Sequence, residues 1–209
     1  MSEVTTAKKF NRTDAAFAIL LSMVLFLLIF KLPPMLLDLL LVVSISSGFL
    51  ILLLTIYVDT PIKLSSFPAI LLVMTLFRLG LNVSSTKLIL LDANAGQVID
   101  TFGNFVIQGN YIVGTVIFLI LVMIQFKVIT AGSSRIAEVS ARFTLDAMPG
   151  KQMSIDADLN AGVIDESEAQ AKRDFLNSEA AFYGSMDGAN KFVKGDVVAG
   201  LIITSINIV

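Results

Sequence analysis

The amino-acid sequence predicts an all-α integral membrane protein with four transmembrane helices, a partly helical cytosolic loop and the start of a fifth span. Three observations carry this. Of 209 residues, 56% are hydrophobic, and the mean hydropathy is +0.84. Only 15% are charged, against about 25% in soluble domains. The apolar residues also cluster into runs long enough to cross a bilayer, separated by short polar connections.

Composition excludes several chemistries. A net charge of −2 gives no basic footprint for a nucleic-acid partner. With no Cys there is no disulfide or thiolate site, and with no His a transition-metal site lacks its commonest ligand. No cofactor and no metal site is expected. Proton chemistry falls to Asp, Glu, Lys or Tyr.

Residues 1–14 form a polar, cytosolic N-terminal segment with Lys8, Lys9 and Arg12. The apolar run 15–30 is too long for a typical signal-peptide core and lacks a small-x-small cleavage site, so it reads as a retained first span. Pro33-Pro34 leaves a very short connection to the second span, 35–58, which carries Asp38 at its entrance. A turn with Pro61, Lys63 and Pro68 follows over 59–68.

The third span, 69–91, is apolar as far as Phe77 and then polar. Its apolar part alone is too short to cross about 30 Å of hydrocarbon. It spans only if Arg78 and Asn82 are tolerated inside. Arg78, Asn82 and Ser85 fall at i, i+4 and i+7, so they share a face that must point into protein or water. Residues 92–110 contain no Lys or Arg, and Val98, Phe102 and Phe105 mark a short interfacial helix. The fourth span is 111–130, interrupted by Gln125 and Lys127.

Basic residues favour the cytoplasmic face. Their distribution puts the N-terminus and the loop 132–194 inside, with Lys31 as a snorkelling exception. Four domains result: the N-terminal segment 1–14, a four-helix membrane region 15–131, a cytosolic charged loop 132–194, and a truncated fifth span 195–209.

The loop opens with RIAEVSARFTLDAMPGKQMSIDAD (135–158), polar and charged with both signs. Nothing in it belongs in lipid, so it marks where the chain leaves the bilayer. Pro149-Gly150 fits the central pair of a type II turn. Asp165 with Glu168 makes a helix-start box, and a helix is expected through Tyr183, with Gly184 as its stop. The apolar end, 197–209, is too short to span, which marks the chain as a fragment cut inside a fifth span.

Gly150-Lys151 invites comparison with a phosphate-binding loop. That pattern requires Gly where Leu145 stands and Ser or Thr where Gln152 stands. The match fails, so this segment offers no nucleotide site, and the energy for any work comes from an ATPase partner or an ion gradient; the chain is not expected to be an enzyme.

Arg78 is a candidate functional residue, because an arginine at mid-span costs about 2.5 kcal/mol or more to insert. The alternative is that it snorkels, or pairs with Asp38 or another helix for packing alone. Asp196 stands where the last apolar run begins. Partial desolvation there favours the protonated carboxyl, while Lys191 and Lys194 oppose it. The alternative is an ordinary interfacial helix-start charge. Asp187 and Lys191, at i and i+4, can pair. Arg135, Glu138 and Arg142 share a helical face, followed by Asp146, Asp156 and Asp158. They read either as a solvated surface or as a salt-bridge network that responds to protonation. Asp156 and Asp158 alone are weak evidence for a cation site.

RIAEVSARFTLDAMPGKQMSIDADLNAG resembles the signature of the FlhA/SctV (FHIPEP) export-gate family of bacterial type III secretion systems. FYGSMDGANKFVKGDVVAG (182–200), FPAILLVMTLFRLGLNVSSTKLILL (67–91) and FGNFVIQGNYIVG (102–114) resemble further family motifs. LNVSST (81–86) and FGNFVIQGNYIVG look more like the flagellar branch (FlhA). The resemblance implies a multi-pass protein of the bacterial inner membrane, N-terminus cytoplasmic, forming a homo-oligomeric, nonameric ring. It implies coupling of the proton-motive force to export of unfolded substrates, alongside other export-gate components. An export ATPase complex, chaperones and substrates would dock on a C-terminal domain beyond this chain. By motif match, the family's proton-binding or coupling charges fall on Arg135, Arg142, Asp146, Asp187, Lys191 and Asp196, with Lys194, Asp158 and Arg78 also in matched motifs. Asp196 becomes the expected proton acceptor. The competing readings are a passive ring scaffold without proton conduction, and a proton-coupled secondary transporter, which the large loop and lack of an evident internal repeat disfavour.

Overall fold

Two prolines set the first turn of the chain. The computed structural model describes residues 12–208. The expected N-terminal segment 1–14 therefore lies outside the described residues as far as residue 11, as does Val209. Helix α1 (Arg12–Ile29) ends just before Pro33, whose extended backbone (φ −65°, ψ 143°) delivers Pro34 as the first residue of α2 (Pro34–Tyr57). Proline suits that position because its φ is already helical and the N–H it lacks would have no intrahelical partner. A single 3₁₀ turn, Pro61–Leu64, leads into α3 (Phe67–Asp92), again with a proline in the first turn.

Among the described residues, three helices are long and apolar enough to cross a membrane: α2, α3 and the stretch Tyr111–Val128. Four spans were expected. The expected first one, 15–30, is helical within α1, and its crossing belongs to the topology proposed below.

Helices α1 and α3 meet closely at Gly80. A Cβ there would stand 3.3 Å from Leu27 Cβ. The same approach lets Ser84, fully buried, donate its hydroxyl to the Leu27 carbonyl at 2.8 Å. One turn on, Lys87 donates to the carbonyls of Leu28 and Ile29, which α1 leaves unpaired at its C-terminus. Lys31 and Asp92 close this end of the bundle with an ion pair of 2.6 Å. Val24, Leu27, Leu37, Phe77, Leu81 and Leu88 fill the core between α1, α2 and α3.

The expected short helix in 92–110 is α4 (Gln97–Ile107). Its exposed Phe102 and Phe105 agree with an amphipathic helix. Helix α5 (Tyr111–Ile124) is capped by the Asn110 side chain and runs without a break through a π-helical segment, Gln125–Ser133, into α6 (Ser134–Asp146).

Three expectations about the charged loop are corrected. Pro149-Gly150 forms no type II turn; both lie in the first turn of α7 (Met148–Asn160). Proline opens that helix for the reason it opens α2. Gly184 is not a stop, and no separate element begins near 197. Helix α8 runs from Glu166 to Ile208, 43 residues and roughly 65 Å. A glycine inside a helix costs about 1 kcal/mol. Packing offsets this: Ser185 and the buried Ala189 lie beside Pro68, Ala69 and Leu72 of α3. The expected start at Asp165 does form, with its side chain accepting from the Glu168 amide at 2.7 Å. The loop is thus helical almost throughout, with α7 and α8 joined by a small core of Ile155, Ala169 and Leu176.

Candidate functional site

Arg78 sits roughly 16 Å along α3 from Phe67, where the apolar half of that helix gives way to its polar half. Asp196 on α8 meets it there. Nε of Arg78 donates to Asp196 Oδ2 at 2.9 Å, and a terminal guanidinium nitrogen donates to the same oxygen. Both donors converge on one oxygen. Oδ1 is buried and has no partner among the described residues. The Asp196 side chain is 4% exposed and that of Arg78 51%. A charge-assisted bond of this kind is about twice as strong as a neutral one, and a buried polar atom without a partner is rare in native proteins.

This arrangement revises two expectations. Asp196 was expected at the start of a separate apolar span; it lies alongside the middle of α3. Arg78 was given Asp38 as one candidate partner, but Asp38 is engaged elsewhere. Its carboxylate accepts the backbone N–H groups of Gln97 and Val98, at 2.9 and 3.0 Å, and so caps α4 from α2. Of the expected polar face, Ser85 donates to the Asn82 carbonyl within its own helix, and Ser84 is the residue that reaches α1.

Next to Asp196, a cleft of about 330 Å³ opens between the two helices, walled by Thr75, Leu76 and Leu79 of α3 and by Lys191, Phe192 and Ala199 of α8. One turn before Asp196, Lys191 pairs with Asp187 at 2.8 Å. Glu138 of α6 adds its field to Lys191 and pairs loosely with Arg142 at 3.6 Å. Two intrahelical pairs, Glu138–Arg142 on α6 and Asp187–Lys191 on α8, thus lie on helices that pack together, and Lys191 shares the cleft with Asp196. Arg135, Asp146, Asp158 and Lys194 make no ion pair among the described residues.

Sequence reasoning missed the contacts that fasten α7 to α8. Arg173 bonds Asp156 at 2.7 Å, and Lys151 bonds Glu179 at 2.9 Å. The Asp156 bond raises Arg173 above the usual guanidinium value. It also gives Asp156 a protein partner. At the start of α8 the Glu168 amide, with the Ser167 hydroxyl, holds Asp165 below the ordinary carboxylate value.

A profile of the FHIPEP family matches residues 24–209. The chain is 57% identical to the low calcium response locus protein D of Yersinia pestis over 95% of its own length and 28% of the relative's. It is 56% identical to the flagellar biosynthesis protein FlhA of Bacillus subtilis (92% of this chain, 29% of the relative). It is 50% identical to the harpin secretion protein HrpI of Erwinia amylovora (95% and 28%). These identities do not separate a flagellar from a non-flagellar branch. The chain spans under a third of the length of these relatives. No solved structure matches.

Proposed function

The chain belongs to the FHIPEP family, and from that premise we propose that it is the N-terminal membrane part of a type III export gate in the bacterial inner membrane. The N-terminus and the helices α6, α7 and the first part of α8 face the cytoplasm in this reading, and α1 crosses with α2, α3 and α5. It acts within a homo-oligomeric ring beside other membrane components of the apparatus. The export ATPase, chaperones and substrates engage regions of the protein outside this chain.

In the proposed mechanism Asp196 binds the proton that drives export. The observation that supports this is the buried carboxylate with one oxygen on Arg78 and the other unpartnered. Protonation removes the charge that holds the guanidinium, so the α3–α8 contact loosens. Helix α8 is unbroken from Glu166 to Ile208, so a shift at Asp196 is carried as a rigid displacement to Lys191 and Asp187, and through Glu138 and Arg142 to α6. Arg135 and Asp146 on α6, Lys194 on α8 and the half-buried Asp158 on α7 tune that response. The magnitudes agree. One proton crossing 100 mV releases about 2.3 kcal/mol, and a hydrogen bond to a charged group contributes about 1.5–3 kcal/mol.

The test compares wild type with Asp196→Asn in two assays: proton flux in vesicles, and secretion in cells with membrane insertion confirmed. The mechanism expects insertion to persist while flux and secretion are lost together. Normal flux in the variant would leave a passive scaffold, with the charges only holding helices in place.

A further inference from the structure

Helix α6 carries an apolar row that none of the other described residues covers. Ile136, Val139 and Phe143 are 72%, 43% and 73% exposed. At 100° per residue they fall within about 60° of one another. The opposite side packs on α8 through the buried Ala141. A polar environment is the expected one for a segment placed past the last membrane span, so this row requires a partner.

The depth of the row follows from three contacts. Helix α8 lies against the cytosolic, fully apolar end of α3, with Gly188 and Ala189 beside Pro68 and Leu72. Lys191 lines the cleft with Thr75. Helix α6 packs along α8, and Glu138 adds its field to Lys191. Glu138 is therefore level with residues 68–75 of α3, and Ile136 and Val139 flank it in sequence. The rod that ends in α6 begins as the span α5, and Phe126 and Val128 on it are likewise exposed. At 100° per residue Glu138 and Arg142 lie about 60–100° round the helix from Val139, and Arg142 pairs with Glu138, while Arg135 and Asp146 flank the row.

We infer that α6 is seated in the cytosolic leaflet, with Ile136, Val139 and Phe143 against lipid acyl chains, so that the chain leaves the bilayer near Asp146 and not near Thr130. The inference rests on the membrane topology proposed above, and not on proton binding by Asp196. The backbone runs unbroken from the span α5 into α6, with Phe126, Val128 and Ile136 all exposed, which favours lipid over a protein partner. The arginines beside the row have long stems that reach the headgroups from this depth.

The chain contains no Trp, so single tryptophans report one site each. Phe143→Trp and Ile136→Trp replace exposed side chains and leave the packing intact. Each is reconstituted into vesicles of phosphatidylcholine and phosphatidylglycerol, with and without brominated acyl chains. Phe49→Trp on the exposed face of α2 is the inserted control, and Met153→Trp on α7 is the aqueous one. The expected result is blue-shifted emission at 136 and 143, with bromine quenching comparable to the Phe49 variant and absent from the Met153 variant. Red-shifted, unquenched emission would place α6 in water and overturn the inference. Blue-shifted but unquenched emission would mean burial against protein, such as a second copy, and would overturn it too. If the Phe49 variant itself is unquenched, the topology fails and takes the inference with it; if only 136 and 143 are unquenched, the topology stands.

Discussion

Asp38 of α2 accepts the backbone N–H of Gln97, the first residue of α4, at 2.9 Å across 59 positions of sequence. It does the work of an N-cap from another helix. Gly96, at φ +82°, carries no side-chain cap of its own, and a Cβ there would stand 2.6 Å from Asp38 Oδ1. Asp38→Ala leaves two amides at the start of α4 without their acceptor. The expected cost is about 1–2 kcal/mol, seen as faster proteolysis within residues 92–110. Gly96→Ala should open the same segment by steric exclusion. Unchanged proteolysis in both variants would mean that Asp38 does not hold α4.

Arg78 and Asp196 should behave as one unit in a double-mutant cycle. Arg78→Ala leaves a buried carboxylate without its cation, and Asp196→Asn leaves a guanidinium without its anion. The guanidinium is half exposed, which reduces the penalty below that of a fully buried pair. The expected coupling is about 1–3 kcal/mol, read from thermal unfolding in detergent. Additive effects would show that the two side chains do not share a stabilising bond.

Acid should fray the start of α8. The folded value of Asp165 is depressed by its bond from the Glu168 amide, from an ordinary value near 3.8. A carboxylate of this kind contributes stability above its unfolded value and loses it as pH falls through the lower folded value. Hydrogen exchange at residues 166–169, corrected for its intrinsic pH dependence, should therefore accelerate below that window. Asp165→Asn should remove most of this pH response. An unchanged response in that variant would assign the fraying to another group.

Gly184→Ala should stabilise the protein. The position is helical, and a Cβ there meets nothing within 4 Å. Replacing glycine by alanine inside a helix contributes about 1 kcal/mol. The opposite sign would be expected if Gly184 ended the helix in a left-handed conformation. The unfolding midpoint of the variant distinguishes the two.

The amino-acid sequence by itself determined what is local. Apolar runs located α2, α3 and α5, because crossing a bilayer requires length and hydropathy alone. Spacing within one helix identified the Asp187–Lys191 pair and the Asp165 start box, because residues three or four apart on a helix are neighbours by construction. Val98, Phe102 and Phe105 marked α4 for the same reason. Only the tertiary structure decided partners between helices. Arg78 found Asp196 across 118 positions and Asp38 went to the amides of α4, although Asp38 was the one carboxylate named for the arginine on sequence grounds. Which one it meets depends on the register at which α8 lies along α3, where the buried Ala189 lies beside Pro68 and Leu72. The same packing carried α8 through Gly184, where local signals favoured a stop, because contact along a whole helix outweighs the modest cost of one glycine.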